Sequence, residues 1–338
     1  MKNLGGSTAK VAIIGAGAWG TALAQVAASG GLDVALWCFE PEVAADISSY
    51  RVNSAFLPDA PLSPQIHATT DLAAAAADAD AVLIANPAQH VRATLRRLAP
   101  DLPAGAPVVL CAKGVEQGSL ALMTQVLAAE APAAIAAVLS GPGFAKDVVR
   151  GLPTATTIAC VDADVGRRLV ALIGRPRFRP YLTDDLIGAE IGGAVKNVIA
   201  IACGIAEGRR LGDGARAALI TRGFAEMSRL GRALGARQET LNGLCGLGDL
   251  VLTCASLASR NTSLGAALGQ GRAAAEVLAD RRSVAEGASS APAIVALAER
   301  EGVDMPICAA VDAVLAGALS VDDAIEALLS RPFREEGA

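Results

Sequence analysis

Lysine is scarce in this chain. Of 29 cationic side chains only five are lysine, at positions 2, 10, 113, 146 and 196; the rest are arginine. Lys196 lies in AEIGGAVKNVIAIACGIAEGRRL, residues 189–211. Around it Ile191, Val195, Val198, Ile199, Ala202 and Ile205 recur at three- and four-residue spacing. That period predicts one long buried helix with an ammonium inside its apolar run. A buried ammonium is costly unless something pairs with it. Lysine, unlike arginine, can give up a proton, so its use here points to acid–base chemistry. Asp249, at the start of a predicted helix over 250–258, can pair with such a lysine or simply cap its own helix; the residues leave both open. Only two histidines occur, His67 and His90, so a zinc site or a Ser-His-Asp hydrolase is hard to build. No metal is expected.

The elements that must position this chemistry begin with a glycine loop. Lys10–Ile14 predicts a short buried strand that runs into Gly15-Ala16-Gly17-Ala18-Trp19-Gly20, with a helix from about Thr21 to Ser29. Asp33–Phe39 predicts the next strand, ended by Glu40, twenty residues after Gly20. This is G-x-G-x-x-G with a strand before it, a helix after it and an acid at the ribose distance. The glycines let backbone approach a pyrophosphate at a helix N-terminus. Gly15, Gly17, Ala18, Trp19, Gly20, Phe39 and Glu40 are therefore candidate dinucleotide contacts.

Strand and helix signals then alternate. Strands are expected over 81–85, 107–112, 136–140, 154–160 and 177–182, with helices from about 89 to 98 and 120 to 129. Residues 73–79 read as a plain surface helix. Such alternation predicts an α/β fold with a doubly wound parallel sheet, whose ligands bind outside the carboxyl ends of the strands. Asn86, Lys113 and Gly141 all fall there, with Gly143 just beyond Gly141. After about Asp184 strand signals stop, and helices are expected over 189–211, 215–234, 250–258, 291–301 and 307–316. The expected division is a Rossmann-type dinucleotide domain, 1–184, and an all-helical substrate-binding domain, 185–338.

Composition removes several function classes. A net charge of −5 gives no footprint for nucleic acid. Hydrophobic content is 53 %, yet aromatics are 3 % and much of the excess is alanine. The longest uncharged run, Val11 to Leu32, has the length of a membrane span, but its five glycines and its strand–turn–helix pattern argue against one. No integral membrane segment is expected. Seven cysteines without a C-x-x-C pair read as buried thiols in a reducing cytoplasm.

The segments LWCFEPEVAADI, ATTDL, CAKGVE, GGAVKNVIAIACG, AALITRGFAEMSRLGRALGA, GLGDLVLTC, SRN and MPI resemble the bacterial NAD(P)-dependent glycerol-3-phosphate dehydrogenases. The resemblance runs in order over roughly residues 10 to 320, and GGAVKNVIAIACG and GLGDLVLTC are long and specific. It implies reduction of dihydroxyacetone phosphate to sn-glycerol 3-phosphate, which feeds phospholipid synthesis. It makes Lys196 the general acid/base, Lys113 a second active-site lysine that contacts substrate and cofactor, and Asp249 and Thr253 their partners. It carries the phosphate-binding trio onto Ser259, Arg260 and Asn261, adds Asn197, Gly141 and Gly143 to the substrate site, and puts cofactor contacts on Trp19, Ala145, Arg260, Val284 and Glu286. A homodimer is expected.

This chain departs from the family's pattern at three places. Gly143 stands where the family usually has Ser or Thr after Gly-Pro, Asn86-Pro87-Ala88 replaces Val-Pro-Ser, and Phe39 replaces an Arg or His. The missing cation at 39 weakens recognition of a 2′-phosphate, so NADH is expected to serve at least as well as NADPH. Arg51 is the nearest basic candidate that could swing in. Two other readings compete: a two-domain ketoacid reductase of the ketopantoate type, and a catalytically silent dinucleotide sensor.

Overall fold

The computed structural model describes residues 8–279 and 285–332. Eight strands form one sheet in the order β3-β2-β1-β4-β5-β6-β7-β8. They are β1 (Lys10–Ile14), β2 (Asp33–Trp37), β3 (Ile66–Thr69), β4 (Ala81–Ile84), β5 (Pro107–Leu110), β6 (Ile135–Ser140), β7 (Thr154–Cys160) and β8 (Phe178–Thr183). The helices between them are α1 (Ala18–Ser29), α2 (Pro41–Tyr50), α3 (Leu72–Ala76), α4 (Val91–Leu98), α5 (Met123–Glu130), α6 (Ala145–Val148) and α7 (Ala163–Ile173). Beyond Thr183 the described residues hold only helices: α8 (Leu186–Gly208), α9 (Asp213–Ala233), α10 (Gln238–Leu241), α11 (Asp249–Cys254), α12 (Arg260–Gly269), α13 (Ala274–Ala279), α14 (Glu286–Arg300), α15 (Pro306–Leu315) and α16 (Val321–Leu329).

The sheet is parallel, as expected, except where β6 and β7 run antiparallel. The reason is local. Between Ser140 and Thr154 the chain makes only the four-residue α6, too short to carry it back along the sheet, so it turns and descends. The last strand expected by pattern, β8, and the unexpected β3 sit at the two edges. Of the residues expected to form a surface helix, 73–79, only 73–76 are helical, in α3, which Asp71 caps and which buries Leu72, Ala75 and Ala76 against the sheet.

Core packing follows strand alternation. Val11 and Ile13 pack with Leu23 of α1 on one face, while Ala12 and Ile14 pack with Leu95 of α4 on the other. A third cluster fills the helical half around α8. That helix starts earlier than its apolar pattern, because Asp185 caps it: Oδ1 accepts the Gly188 N–H at 2.9 Å and Oδ2 accepts the Arg237 N–H at 2.8 Å. By length and composition α8 could cross a membrane, yet 89 % of its most apolar window is buried inside the protein. It is a core helix.

Two contacts fix where α8 runs. A Cβ on Gly193 would lie 2.9 Å from Ser140 Oγ and 3.3 Å from Lys113 Cγ, so the helix presses against the carboxyl ends of β5 and β6. Further along, α8 and α12 meet backbone to backbone. A Cβ on Gly204 would lie 2.1 Å from the Thr262 carbonyl oxygen, and one on Gly265 2.0 Å from that of Ile201. Neither glycine tolerates a side chain without moving a helix.

Candidate active site

The three glycines of the loop have different jobs. Gly15 takes a φ of +115°, and a Cβ there would lie 2.9 Å from the Asn86 backbone nitrogen. A Cβ on Gly20 would lie 1.9 Å from the Gly15 carbonyl oxygen, so it is glycine for packing of α1 on the strands. Gly17 caps α1, and a Cβ there would meet nothing within 4 Å. The open face belongs to the one glycine that a bound pyrophosphate would approach, at the positive end of a helix. The loop fits a dinucleotide. Ala18 and Trp19 open α1 directly behind it.

At the carboxyl end of β2, Phe39 is 72 % exposed and meets Trp37 edge-on, with ring centroids 6.2 Å apart. Glu40 follows it, and its side chain makes no cap bond to α2. Arg51 does not swing towards them. It ends α2, and its guanidinium donates to the Ile66 carbonyl at 2.9 Å. Ile66 opens β3, which is parallel to β2, so Arg51 sits at the amino ends of the strands, away from Glu40.

The chemistry-bearing side chains converge where α8 passes the ends of β5 and β6. Lys196 comes from the middle of α8 and is 7 % exposed. Asp249 opens α11 and is 1 % exposed. One turn of wider π-helix, Leu244–Gly248, delivers it. The Asp249 carboxylate is no helix cap: Oδ1 meets Lys196 Nζ at 2.9 Å and Oδ2 meets Lys113 Nζ at 2.6 Å. Lys113 Nζ also donates to the Gly141 carbonyl at 3.1 Å and lies 5.9 Å above the Trp19 ring. Thr253, one turn after Asp249 on the same helix face, accepts from Lys196 Nζ at 2.7 Å and reaches Asp249 Oδ1 at 3.3 Å.

The charges explain each other. Burial brings the Lys196 ammonium down to about 8; Asp249 opposes that shift and Lys113 reinforces it. Burial alone would raise Asp249, but Lys113 and Lys196 outweigh it and hold the carboxyl below its usual range. The result is a carboxylate between two lysine side chains, with the Lys196 ammonium brought down to about 8.

Around this cluster runs a chain of amides. Asn197 Nδ2 donates to the Lys113 carbonyl at 3.1 Å, Asn261 Nδ2 donates to Asn197 Oδ1 at 2.9 Å, and the Gly287 N–H donates to Asn261 Oδ1 at 3.0 Å. Asn197 and Asn261 thus tie the Lys113 loop, α8, α12 and α14 together. Ser259 caps α12, its Oγ accepting the Thr262 N–H at 3.2 Å. Of the serine–arginine–asparagine trio only Arg260 is exposed, at the first turn of α12. Glu286 opens α14 and accepts the Ala88 N–H at 3.3 Å. Burial raises its carboxyl; the Ala88 N–H, Arg260, Lys113 and Lys196 pull the other way, so Arg260 and both lysines act on one acid.

Gly141, with φ +145°, would put a Cβ 2.9 Å from Thr156 Cα, and Gly143 packs beside Trp19 and Thr154. Ala145 opens α6 just beyond. Val284 lies outside the described residues. Asn86 donates from Nδ2 to Thr94 Oγ1 at 2.9 Å. Two contributors carry a sequence signal that pattern reading passes over. Gly192-Gly193 is a glycine pair inside an apolar helix, and a Cβ on Gly192 would lie 2.5 Å from the Cys245 carbonyl oxygen. Thr262, directly after the trio, donates from Oγ1 to the Thr253 carbonyl at 2.7 Å and so joins α12 to α11. Among the described residues no group of acids, histidines and cysteines could hold a metal, and all seven cysteines are free and buried.

Residues 10–165 match the family model for the NAD-dependent glycerol-3-phosphate dehydrogenase N-terminus, and residues 185–326 match that for its C-terminus. A glycerol-3-phosphate dehydrogenase [NAD(P)+] of Parvibaculum lavamentivorans is 61 % identical over 327 residues, 97 % of this chain and 98 % of that protein. One from Maricaulis maris is 60 % identical over 328 residues, again 97 % and 98 % of the two chains. The crystal structure of glycerol-3-phosphate dehydrogenase from Coxiella burnetii superposes with a TM-score of 0.93 at 39 % identity, covering 96 % of this chain and 99 % of that one.

Proposed function

Since the chain belongs to the NAD-dependent glycerol-3-phosphate dehydrogenase family, we propose that Lys196 exchanges the proton in its reaction. The enzyme is an NAD(P)-dependent oxidoreductase that reduces dihydroxyacetone phosphate to sn-glycerol 3-phosphate, a precursor for phospholipid synthesis. Family membership sets aside the ketopantoate-type alternative.

A bound reduced nicotinamide dinucleotide supplies the hydride. The protein's part is to handle the charge that then develops on the substrate's carbonyl oxygen. Lys196, held near 8, is mostly protonated at pH 7 and gives up its proton at small cost. Lys113 stays beside it as a second positive charge, and Asp249 orients both ammoniums through its two oxygens. Thr253 and Asp249 each take one N–H of the Lys196 ammonium, which leaves its third for substrate. In the reverse direction the neutral amine of Lys196 takes the alcohol proton. The Lys113–Asp249–Lys196 cluster beside an open glycine loop carries this reading.

Arg260 is assigned to the substrate phosphate, which its planar fork suits; Asn261 holds the first turn of α12 in place beneath it. Anchoring the phosphate lets remote binding energy orient the carbonyl. Asn197 sets the height of Lys113 through that residue's carbonyl. Trp19 and Gly141 both meet Lys113, Gly143 packs on Trp19, and these three, with Ala145 and Glu286, are assigned to cofactor and substrate contact.

For the cofactor's adenosine end, Glu40 accepts from ribose hydroxyls, and Phe39 offers a ring but no cation. With Arg51 engaged at the far end of β3, NADH serves at least as well as NADPH. The test is a spectrophotometric assay of nicotinamide oxidation with dihydroxyacetone phosphate, run with each cofactor. Turnover with NADH at a specificity constant equal to or above that for NADPH is expected; a tenfold NADPH preference would reject the cofactor assignment alone. Phe39→Arg should move the ratio towards NADPH by about 1–3 kcal/mol. No turnover with either cofactor would point to a silent dinucleotide sensor. We further assign a homodimer in the cytoplasm, to be checked by sedimentation velocity; seven free cysteines suit a reducing compartment.

A further inference from the structure

The glycine loop is at one end of α1. At the other end, about 18 Å away along a helix of twelve residues, lies a second cationic site. A cavity of about 260 Å³ opens between the last turn of α1, the connection from α6 to β7, and the start of β8. Its polar lining is Gln25, Ser29, Arg150, Arg175 and Arg177, and no aspartate or glutamate lines it.

Arg175 is built in. Its Nη1 donates to the Leu172 and Gly174 carbonyls at 2.9 and 2.7 Å, and its Nη2 to the Ala27 carbonyl at 3.0 Å. It thereby closes the carboxyl ends of both α1 and α7. Gly30 makes room: a Cβ there would lie 2.0 Å from the guanidinium carbon. The Nε–H is buried and meets no acceptor. Burial lowers the affinity of this side chain for its proton, and no carboxylate opposes that. Arg177 reaches only the Gly151 carbonyl, at 3.5 Å. Among the described residues Arg150, Arg175 and Arg177 form no ion pair. Most other buried or half-buried cations here have a carboxylate, as Arg92 has Glu116 and Glu130.

One cavity is thus lined by three guanidiniums and no carboxylate: half-buried Arg175, whose Nε–H lacks an acceptor, and Arg150 and Arg177, exposed and open to an incoming anion. We propose that this cavity binds a small phosphorylated anion, inorganic phosphate or a short phosphate monoester, at a site separate from the reacting centre. Two exposed guanidinium forks match the geometry of a phosphate's oxygens, and the half-buried third supplies a fixed positive floor. The volume admits a phosphate carrying a few carbons and excludes a dinucleotide.

The test uses the full chain and inorganic phosphate as probe, followed by isothermal titration. Wild type should take up a second equivalent of phosphate beyond that at the active site. Arg150→Ala/Arg177→Ala should lose that equivalent, or bind it roughly tenfold or more weakly, with kcat and KM for dihydroxyacetone phosphate unchanged. Both replaced residues are exposed, and Arg175, which closes two helices, stays. Repeating the titration with sn-glycerol 3-phosphate separates the sources: a second site tighter for the ester assigns a monoester, and one indifferent to it assigns free phosphate. A single equivalent in wild type, or an isotherm the double variant leaves unaltered, overturns the proposal.

Discussion

Asp249, between α8 and α11, and Glu226, between α9 and α15, are buried to the same degree, each 1 % exposed. Their acidities part in opposite directions. Among the described residues Glu226 meets no ammonium at contact distance: its two oxygens accept the Ile307 and Cys308 N–H groups at 2.7 and 3.1 Å, where α15 begins, and the Cys308 thiol and the Arg229 charge add weaker support. Burial wins there and raises it to about 7. Asp249 faces two ammoniums, and they win over burial. The first arrangement is a bolt between helices, as is Glu190 on α8, which accepts the Thr124 N–H and hydroxyl of α5 and is likewise raised by burial to about 7. The second is a charged triad in which one carboxylate orients two ammoniums. What separates structure from chemistry in this protein is the partner, since burial is common to both.

The pH signatures differ in sign accordingly. A carboxyl lowered by folding, as in Asp249, contributes stability above its unfolded value that is lost as pH falls through the folded one. A carboxyl raised by folding, as in Glu226, contributes most below its ordinary value of 4.5, and that contribution is lost as pH rises through about 7.

The sharpest way to break the comparison is Lys196→Ala. It should lower reductive turnover by about 10²–10⁴-fold while dinucleotide binding, followed by fluorescence titration, stays intact. A variant within tenfold of wild type would mean that the charged cluster is a bolt like the other. Asp249→Asn comes next, with a loss of roughly a hundredfold, or about 2.7 kcal/mol of barrier. It should also move the pH profile. Reductive turnover in wild type is expected to fall as pH rises through about 8, because the protonated lysine is the donor. Removing the carboxylate that favours the ammonium should shift that fall to lower pH by about one unit. A profile unmoved in Asp249→Asn would separate the lysine from its partner. Glu226→Ala has the smallest effect on activity: kcat and KM unchanged, and unfolding in urea easier by about 1–3 kcal/mol for the stranded N–H groups. That cost should shrink as pH rises through about 7. Lost turnover in a still-folded Glu226→Ala protein would erase the distinction.

What the sequence disclosed follows the range of the interaction responsible. The glycine loop and α8 are local patterns, and both stand out in the chain. Lys196 was conspicuous because residue type and periodicity conflict within a few positions. Asp249 could be read as cap or partner, since the choice depends on Lys113, 136 residues away in sequence. Ser259 shows the opposite outcome. Its hydroxyl caps α12 by accepting the Thr262 N–H, a local use that its assignment to phosphate does not announce. The antiparallel turn at β7 depends on α6 being a single turn, and nothing in its composition announces that. β3 is four residues long with one buried position, so it has too little alternation to register. Arg51 is near Glu40 in sequence and at the opposite end of the sheet in space, because α2 carries the chain the whole way down.

The glycine seam between α8 and α12 has one more consequence. Lys196 rides on one of these helices, and Arg260 opens the other. Their separation is set where main chain meets main chain, at Gly204 and Gly265, and the Asn261–Asn197 amide contact next to the site spans the same fixed gap. If Arg260 grips the phosphate and Lys196 serves the carbonyl, the two helices form a caliper with a fixed jaw, gauging the span from phosphorus to reacting carbon. Evolution could repaint the walls of such a site one residue at a time. Resetting its gauge for a longer molecule would require shifting two helices together, which makes substrate length the most conservative trait this architecture can carry.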